Sequence, residues 1–149
     1  MIRKSTTEWQ GDGPSGSGSL NTESGALQAQ PYSFKTRFQA GHGGKEDGKA
    51  VTNPEELLGA ALAACFSMTV AFILTEAGHA PKRLTVSSAV DISKVGAGFG
   101  ITSIALDLEA QVEGIAIEQF RELTGIAKTN CPVSKALFAT PISLTARLA

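Results

Sequence analysis

Charge is scarce in this chain. Only 18% of its 149 residues are Asp, Glu, Lys or Arg, and thirteen cations against fourteen anions leave a net charge of -1. Such a balance builds no electrostatic footprint for nucleic acid or an anionic membrane, so neither partner is expected. Cysteine is rarer still. Cys65 and Cys131 are too far apart for a CxxC motif and too few for a disulfide scaffold or a four-thiolate zinc site. The two histidines, His42 and His79, have no second ligand at metal-site spacing, so no metal is expected. The N-terminus MIRKSTTEWQ lacks the apolar block of a secretory signal, which points to the cytoplasm and to thiols that are made reduced. No internal repeat and no G-x-S-x-G elbow is present, and GAGFG joins two strand patterns without opening a helix.

What the chain does have is apolar content. Hydrophobic residues make up 42%, which excludes disorder, and at this length roughly two thirds of the unfolded surface can be buried without staples. A single domain over residues 1–149 is expected. It has three parts: N-terminal strands and a loop over 1–52, a central helix over 53–78, and a hairpin, helices and a last strand over 82–149.

The central helix is the clearest element. TNPEE supplies Asn53 as N-cap, Pro54 at the first helical position and Glu56 three residues after the cap; Gly78 stops the helix and Pro81 follows. Leu57 to Leu74 is uncharged, at the threshold for a membrane span, but it is rich in Ala and has no flanking Lys or Arg cluster. A helix apolar on every face is otherwise covered on every face, which a small domain manages with a second subunit, so a homodimer is expected.

Around it, the glycine-rich first part reads as a meander of short strands. In SFKTRFQ, alternation places Phe34, Thr36 and Phe38 on one face and Lys35, Arg37 and Gln39 on the other. GHGGKEDGK, Gly41 to Lys49, reads as a solvated loop. LTVSSAVDI and ITSIALDLEAQV alternate as two strands of an antiparallel hairpin turning at Gly96 to Gly100. A helix from Ile115 to Lys128 carries the stripe Ile117, Phe120, Leu123 and Ala127, then a short helix SKALFA is capped by Cys131 before Pro132, and PISLTARL is the last strand. Antiparallel strand groups with separate helices make an α+β fold. Trp9 and most of the seven Phe are expected in the core.

Two thiols are the candidates for chemistry. Cys65 lies in an apolar helical stripe that raises a thiol pKa and makes it inert, so a small buried hydrophobe explains it better than a nucleophile does. Cys131, at a helix N-cap, meets the positive end of the helix and is the better nucleophile by that reasoning, with a plain cap as the alternative.

NTESG, PYSFKTRF, TNPEELLGAALAACFSM, AGFGITSIALDLE and NCPVSK, in that order, resemble the OsmC/Ohr family of osmotically inducible and organic-hydroperoxide-resistance proteins, and its OsmC branch more than its Ohr branch. The resemblance implies antiparallel sheets wrapped around long central helices in an intertwined homodimer, with a thiol peroxidase site at the subunit interface. It makes Cys65 the peroxidatic cysteine, Cys131 the resolving one, and Arg37 and Glu55 the partners that set the thiolate. No bound cofactor is implied. The substrate would be an organic hydroperoxide, with Met68, Phe66, Phe72 and Phe138 suiting an organic tail, and a dithiol or lipoyl-type reductant would reset the disulfide. A binding module for a small apolar ligand, with structural thiols, is the alternative from another class.

Glu55 and Cys65 are ten residues apart, roughly 15 Å along a helix axis, so an antiparallel crossing of two such helices is the expected way for them to share a site.

Overall fold

The computed structural model describes residues 1–38, 45–46 and 49–149. They divide into two compact units, Met1–Leu57 and Leu58–Ala149, and the division falls inside the central helix.

In the first unit, β1 (Ser5–Gln10), β2 (Ser17–Thr22) and β3 (Gln30–Ser33) form the expected antiparallel meander. Trp9, Gly18 and Tyr32 share one cross-strand row, with the two rings 5.6 Å apart. A Cβ on Gly18 would come within 2.5 Å of the Tyr32 ring. Trp9, 40% exposed, therefore packs beside a strand glycine and is not the core residue it was expected to be.

The expected strand at SFKTRFQ is instead a short helix, α1 (Phe34–Phe38). The reason is a capping box that alternation conceals. The Ser33 amide donates to Thr36 Oγ1 at 3.0 Å, and the Thr36 amide donates back to Ser33 Oγ at 3.2 Å. Phe34 and Phe38 then fall one turn apart, with ring centroids 4.6 Å from each other. Two two-residue strands follow, β4 (Lys45–Glu46) and β5 (Lys49–Ala50), paired antiparallel. The rest of the expected Gly41–Lys49 loop, His42 included, lies outside the described residues, as does Gln39.

The central helix, α2 (Pro54–Glu76), begins and ends as its sequence dictates. The Glu56 amide donates to Asn53 Oδ1 at 2.8 Å, while the Glu56 carboxylate accepts from Thr52 Oγ1 at 2.8 Å. At its other end His79 N–H reaches Leu74 O at 2.8 Å and Gly78 N–H reaches Thr75 O at 3.0 Å, a Schellman closure that needs Gly78 at φ +84°.

The second unit is a three-stranded sheet with helices on its apolar face. β6 (Arg83–Val95) and β7 (Gly98–Gln111) are the expected hairpin, with the turn tightened to Gly96 and Ala97. α3 (Ile117–Asn130) and α4 (Pro132–Ala136) lead to β8 (Ile142–Leu148). β8 joins β7 parallel, which departs from the all-antiparallel expectation. The helical crossover between them returns the chain to the end of the sheet from which β7 starts.

Leu62, Phe66, Val70 and Leu74, one turn apart on α2, pack with Ile104, Leu106 and Leu108 of β7 and with Phe120 and Ala127 of α3. Burying each such large side chain contributes roughly 1.5–3 kcal/mol. Gly59 lets α2 approach the sheet, because a Cβ there would stand 3.2 Å from Ser88 Oγ and 3.3 Å from Val90 Cγ2. On the opposite face of α2, Ala61 and Ala64 are exposed among the described residues, Met68 is 74% exposed and Phe72 is 64% exposed. By length and a mean hydropathy of 2.3, the helix would suffice to cross a bilayer. Its packed face makes it the core helix of this unit.

The seven Phe do not mostly fill the core, since Phe34, Phe72, Phe99 and Phe138 are exposed and only Phe66 and Phe120 are fully buried. Phe66, fully enclosed, is thereby removed from the residues expected to line a substrate tail.

Candidate active site

Cys65 and Cys131 meet in the second unit although 66 residues separate them, and their Sγ atoms lie 3.0 Å apart. Both thiols are free, in hydrogen-bond contact and well outside the roughly 2.05 Å of a disulfide. Cys65 stands on α2 beside the buried stripe and is partly exposed. Its backbone is held by the Thr69 hydroxyl, which donates to Cys65 O at 2.9 Å. Cys131 is held more tightly, closing α3 and opening α4 at once. Its N–H reaches Ala127 O at 2.9 Å, and its own carbonyl accepts from Lys135 N–H at 3.0 Å. Pro132 at the first helical position fixes that turn, as the sequence indicated.

Electrostatics and access rank the two sulfurs in opposite orders. Burial, then the hydrogen bond with Cys131, push the Cys65 thiol up from its ordinary value. Burial also pushes Cys131 up, but the Cys65 hydrogen bond, the Ser134 amide and hydroxyl and the Val133 amide outweigh it, so Cys131 is held below its ordinary value. Within this chain Cys131 is the more acidic thiol, in agreement with its cap position. Cys131 is 0% exposed, however, whereas Cys65 reaches the surface. A fully enclosed thiolate cannot meet a bulky substrate, so access favours Cys65 as the first sulfur to react, and Cys131 as the sulfur that waits beside it.

Arg37 and Glu55 meet in the first unit. Arg37 Nη2 donates to Glu55 Oε1 at 2.7 Å and Nε donates to the same oxygen at 2.9 Å. The guanidinium thus forks onto a single carboxylate oxygen. Glu55 Oε2 is buried with no partner among the described residues. The side chains are 39% and 7% exposed respectively, so the carboxylate is enclosed and the guanidinium keeps a solvent face. The guanidinium carbon also lies 5.0 Å from the centre of the Phe38 ring, which α1 places there.

Sequence reasoning missed Ser134. It sits three residues after the cap Cys131, where a capping-box partner stands, and its buried Oγ has no partner meeting hydrogen-bond geometry among the described residues. The serine in NCPVSK at cap-plus-three was the available signal. A cavity of about 490 Å³ runs along α3, lined by Arg121, Thr124, Lys128 and Leu144 among others. Neither thiol lines it, and its two cations make it a poor pocket for an apolar ligand.

The paired thiols and the enclosed ion pair are the residues that the motifs singled out, and comparison with known proteins gives the family. The profile of the family described as OsmC-like protein matches residues 44–147. Peroxiredoxin OsmC of Escherichia coli K12 is 46% identical over 137 residues, spanning 92% of this chain and 90% of that protein. Among solved structures, an organic hydroperoxide resistance protein from Elizabethkingia anophelis aligns with a TM-score of 0.69 at 26% identity, over 100% of this chain and 99% of its own. The organic hydroperoxide resistance protein OhrB of Bacillus subtilis aligns at 0.66 and 21% identity over 98% of both chains, a likeness of fold alone. With a profile matching well over half of its length and a relative 46% identical over 92% of it, this chain belongs to the OsmC-like protein family.

Proposed function

We propose that the Cys65–Cys131 pair reduces organic hydroperoxides to alcohols, and hydrogen peroxide less efficiently, in defence against oxidative and osmotic stress. The chain is a cysteine-based peroxidase, and the observation that carries the finer reading is the 3.0 Å contact between one accessible and one enclosed thiol. The Cys65 thiolate attacks the distal peroxide oxygen; the O–O bond breaks, an alkoxide leaves and takes a proton to become the alcohol, and Cys65 is left as a sulfenic acid. The Cys131 thiolate then attacks the Cys65 sulfur. An S–S bond forms, the S–O bond breaks and water is released after one proton is taken up. An external dithiol or lipoyl-type reductant returns both thiols.

An unperturbed thiol with a pKa near 8.5 is only about 3% thiolate at pH 7, against about 90% at a pKa near 6. Inside the second unit the Val133 amide and the Thr69 hydroxyl lower Cys65 by less than burial and Cys131 raise it, so a cation must come from elsewhere. Arg37, held by Glu55, is the cation we assign, delivered from the partner subunit of a homodimer. The exposed Met68 and Phe72 face of α2 supports that dimer, because so much apolar helix surface calls for a cover. The proposed compartment is the cytoplasm, where thiols are kept reduced.

Intact mass of the reduced protein before and after one equivalent of cumene hydroperoxide tests this reading. Loss of two hydrogens supports the enzyme with a disulfide cycle. An unchanged mass contradicts it and supports a binding module with structural thiols.

A further inference from the structure

The proposed cycle asks something of Cys131 that the reduced pair does not reveal. In the reduced state the Cys65 thiol is the hydrogen-bond partner of the Cys131 sulfur, 3.0 Å away. Once peroxide has converted Cys65 to a sulfenic acid, that thiol–thiol contact is gone, at the moment when Cys131 must be a thiolate to attack. The Val133 and Ser134 amides remain to favour the thiolate, and because Cys131 is fully enclosed any further donor has to come from the protein.

Ser134 meets the requirement. Cys131 is the N-cap of α4 and Ser134 is the third residue of that helix, and a side chain at that position turns back onto the cap residue. Ser134 is 8% exposed and its Oγ is buried without a partner among the described residues. A buried orphan hydroxyl is costly in a finished fold and marks a group waiting for a partner. Although it makes no well-formed hydrogen bond while Cys65 holds the Cys131 sulfur, the Ser134 hydroxyl already lies near enough to favour the Cys131 thiolate. The titratable group facing the Cys131 sulfur is Cys65, from α2. Lys128, in the last turn of α3, directs its ammonium to Ile142 O at 3.0 Å, and Lys135 of α4 is exposed.

We infer that Ser134 is a positioning residue for the resolving step, its hydroxyl donating to the Cys131 thiolate after Cys65 has been oxidised. This deepens the proposed function and rests on Cys65 reacting first. The step balances without a further reagent: the Cys131 sulfur gives an electron pair to the Cys65 sulfur, the S–O bond breaks, and the departing hydroxide takes a proton from solvent. Ser134 gives up no proton; it holds the thiolate in place and lowers the pH at which it forms.

The test is a single turnover of reduced protein with one equivalent of cumene hydroperoxide, in the unaltered chain, Ser134→Ala and Ser134→Thr. Dimedone capture follows the sulfenic acid and intact mass follows the disulfide, across a range of pH. In Ser134→Ala, sulfenic acid should form on Cys65 at the unaltered rate, while disulfide formation slows about tenfold at neutral pH, a loss of one pKa unit in thiolate fraction. The gap should close at alkaline pH, and Ser134→Thr should restore most of the rate. Thermal stability of Ser134→Ala should be unchanged or raised, since removing an unpartnered buried hydroxyl relieves a cost. An unchanged rate and pH midpoint of disulfide formation in Ser134→Ala would overturn the assignment. If the unaltered chain yields no sulfenic acid on Cys65 at all, the underlying peroxidase cycle fails, and the role of Ser134 with it.

Discussion

Replacing Arg37 by Ala removes both donors from a carboxylate whose side chain is only 7% exposed. Truncating one partner of a buried ion pair costs about 3–5 kcal/mol, since a charge is left uncompensated. Arg37 is 39% exposed, however, so water can enter where the guanidinium stood and the cost should be nearer 1.5–3 kcal/mol. In a chain of this size that lowers Tm by about 4–10 °C. Glu55→Gln keeps an acceptor for the guanidinium and should cost about 1 kcal/mol. The double variant should be less destabilised than the sum of the two, with a coupling of about 1–2 kcal/mol. Urea unfolding of all four proteins at one fixed concentration measures the cycle, and fixing the concentration matters if a dimer forms. The same variants report on the chemistry. If Arg37 supplies the cation for Cys65, its loss leaves the thiol to the burial and the Cys131 contact that push it up, and attack on peroxide at pH 7 slows by about tenfold for each unit of pKa that the cation had removed. The rate should recover as pH rises. A coupling energy within about 0.5 kcal/mol of zero, together with an unchanged pH profile of Cys65 alkylation, refutes this account of the ion pair.

Other consequences can be checked as directly. Phe66→Ala, at a fully enclosed position of α2, should cost about 3–5 kcal/mol in denaturant unfolding, whereas Phe72→Asp on the exposed face should leave the secondary structure intact and shift sedimentation toward monomer. The thiols should move each other's titration in opposite senses: Cys65→Ala removes the thiol–thiol contact and raises the Cys131 pKa, while Cys131→Ala lowers the Cys65 pKa, both readable from thiolate absorbance against pH. Homodimers of Cys65→Ser and of Glu55→Ala should each be nearly inactive, yet unfolding and refolding the two together should restore activity in mixed dimers. Purified mixed dimers as inactive as their parents would remove the shared site.

Which features were legible in the sequence follows from the range of the forces involved. The ends of α2 were, because Asn53, Pro54 and Gly78 act within one turn of their own backbone. So were the β6–β7 hairpin and the stripe of α3, where period alone marks the buried face. SFKTRF misled because six residues are too few to tell period two from period 3.6, and the Ser33–Thr36 box outweighed the alternation. The direction of β8 was not legible, since a period of two carries no polarity. The meeting of Cys65 with Cys131 depends on how α4 is set against α2, and no spacing in the chain encodes that; only the family motifs pointed to it. The exposure of Phe72 and Met68 was not legible, because hydrophobicity does not say what a side chain packs against. Ser134 went unnoticed because a serine in a first helical turn is ordinary until the cap is a thiol.

The central claim is the order in which the two sulfurs act, since acidity within the chain favours Cys131 and access favours Cys65. Dimedone labelling of Cys131→Ser and Cys65→Ser, each treated with one equivalent of cumene hydroperoxide and mapped by peptide mass, measures it. The account predicts label on Cys65 in Cys131→Ser, after a single turnover, and no peroxide consumption in Cys65→Ser. Label on Cys131 in the Cys65→Ser protein would contradict it and reverse the roles.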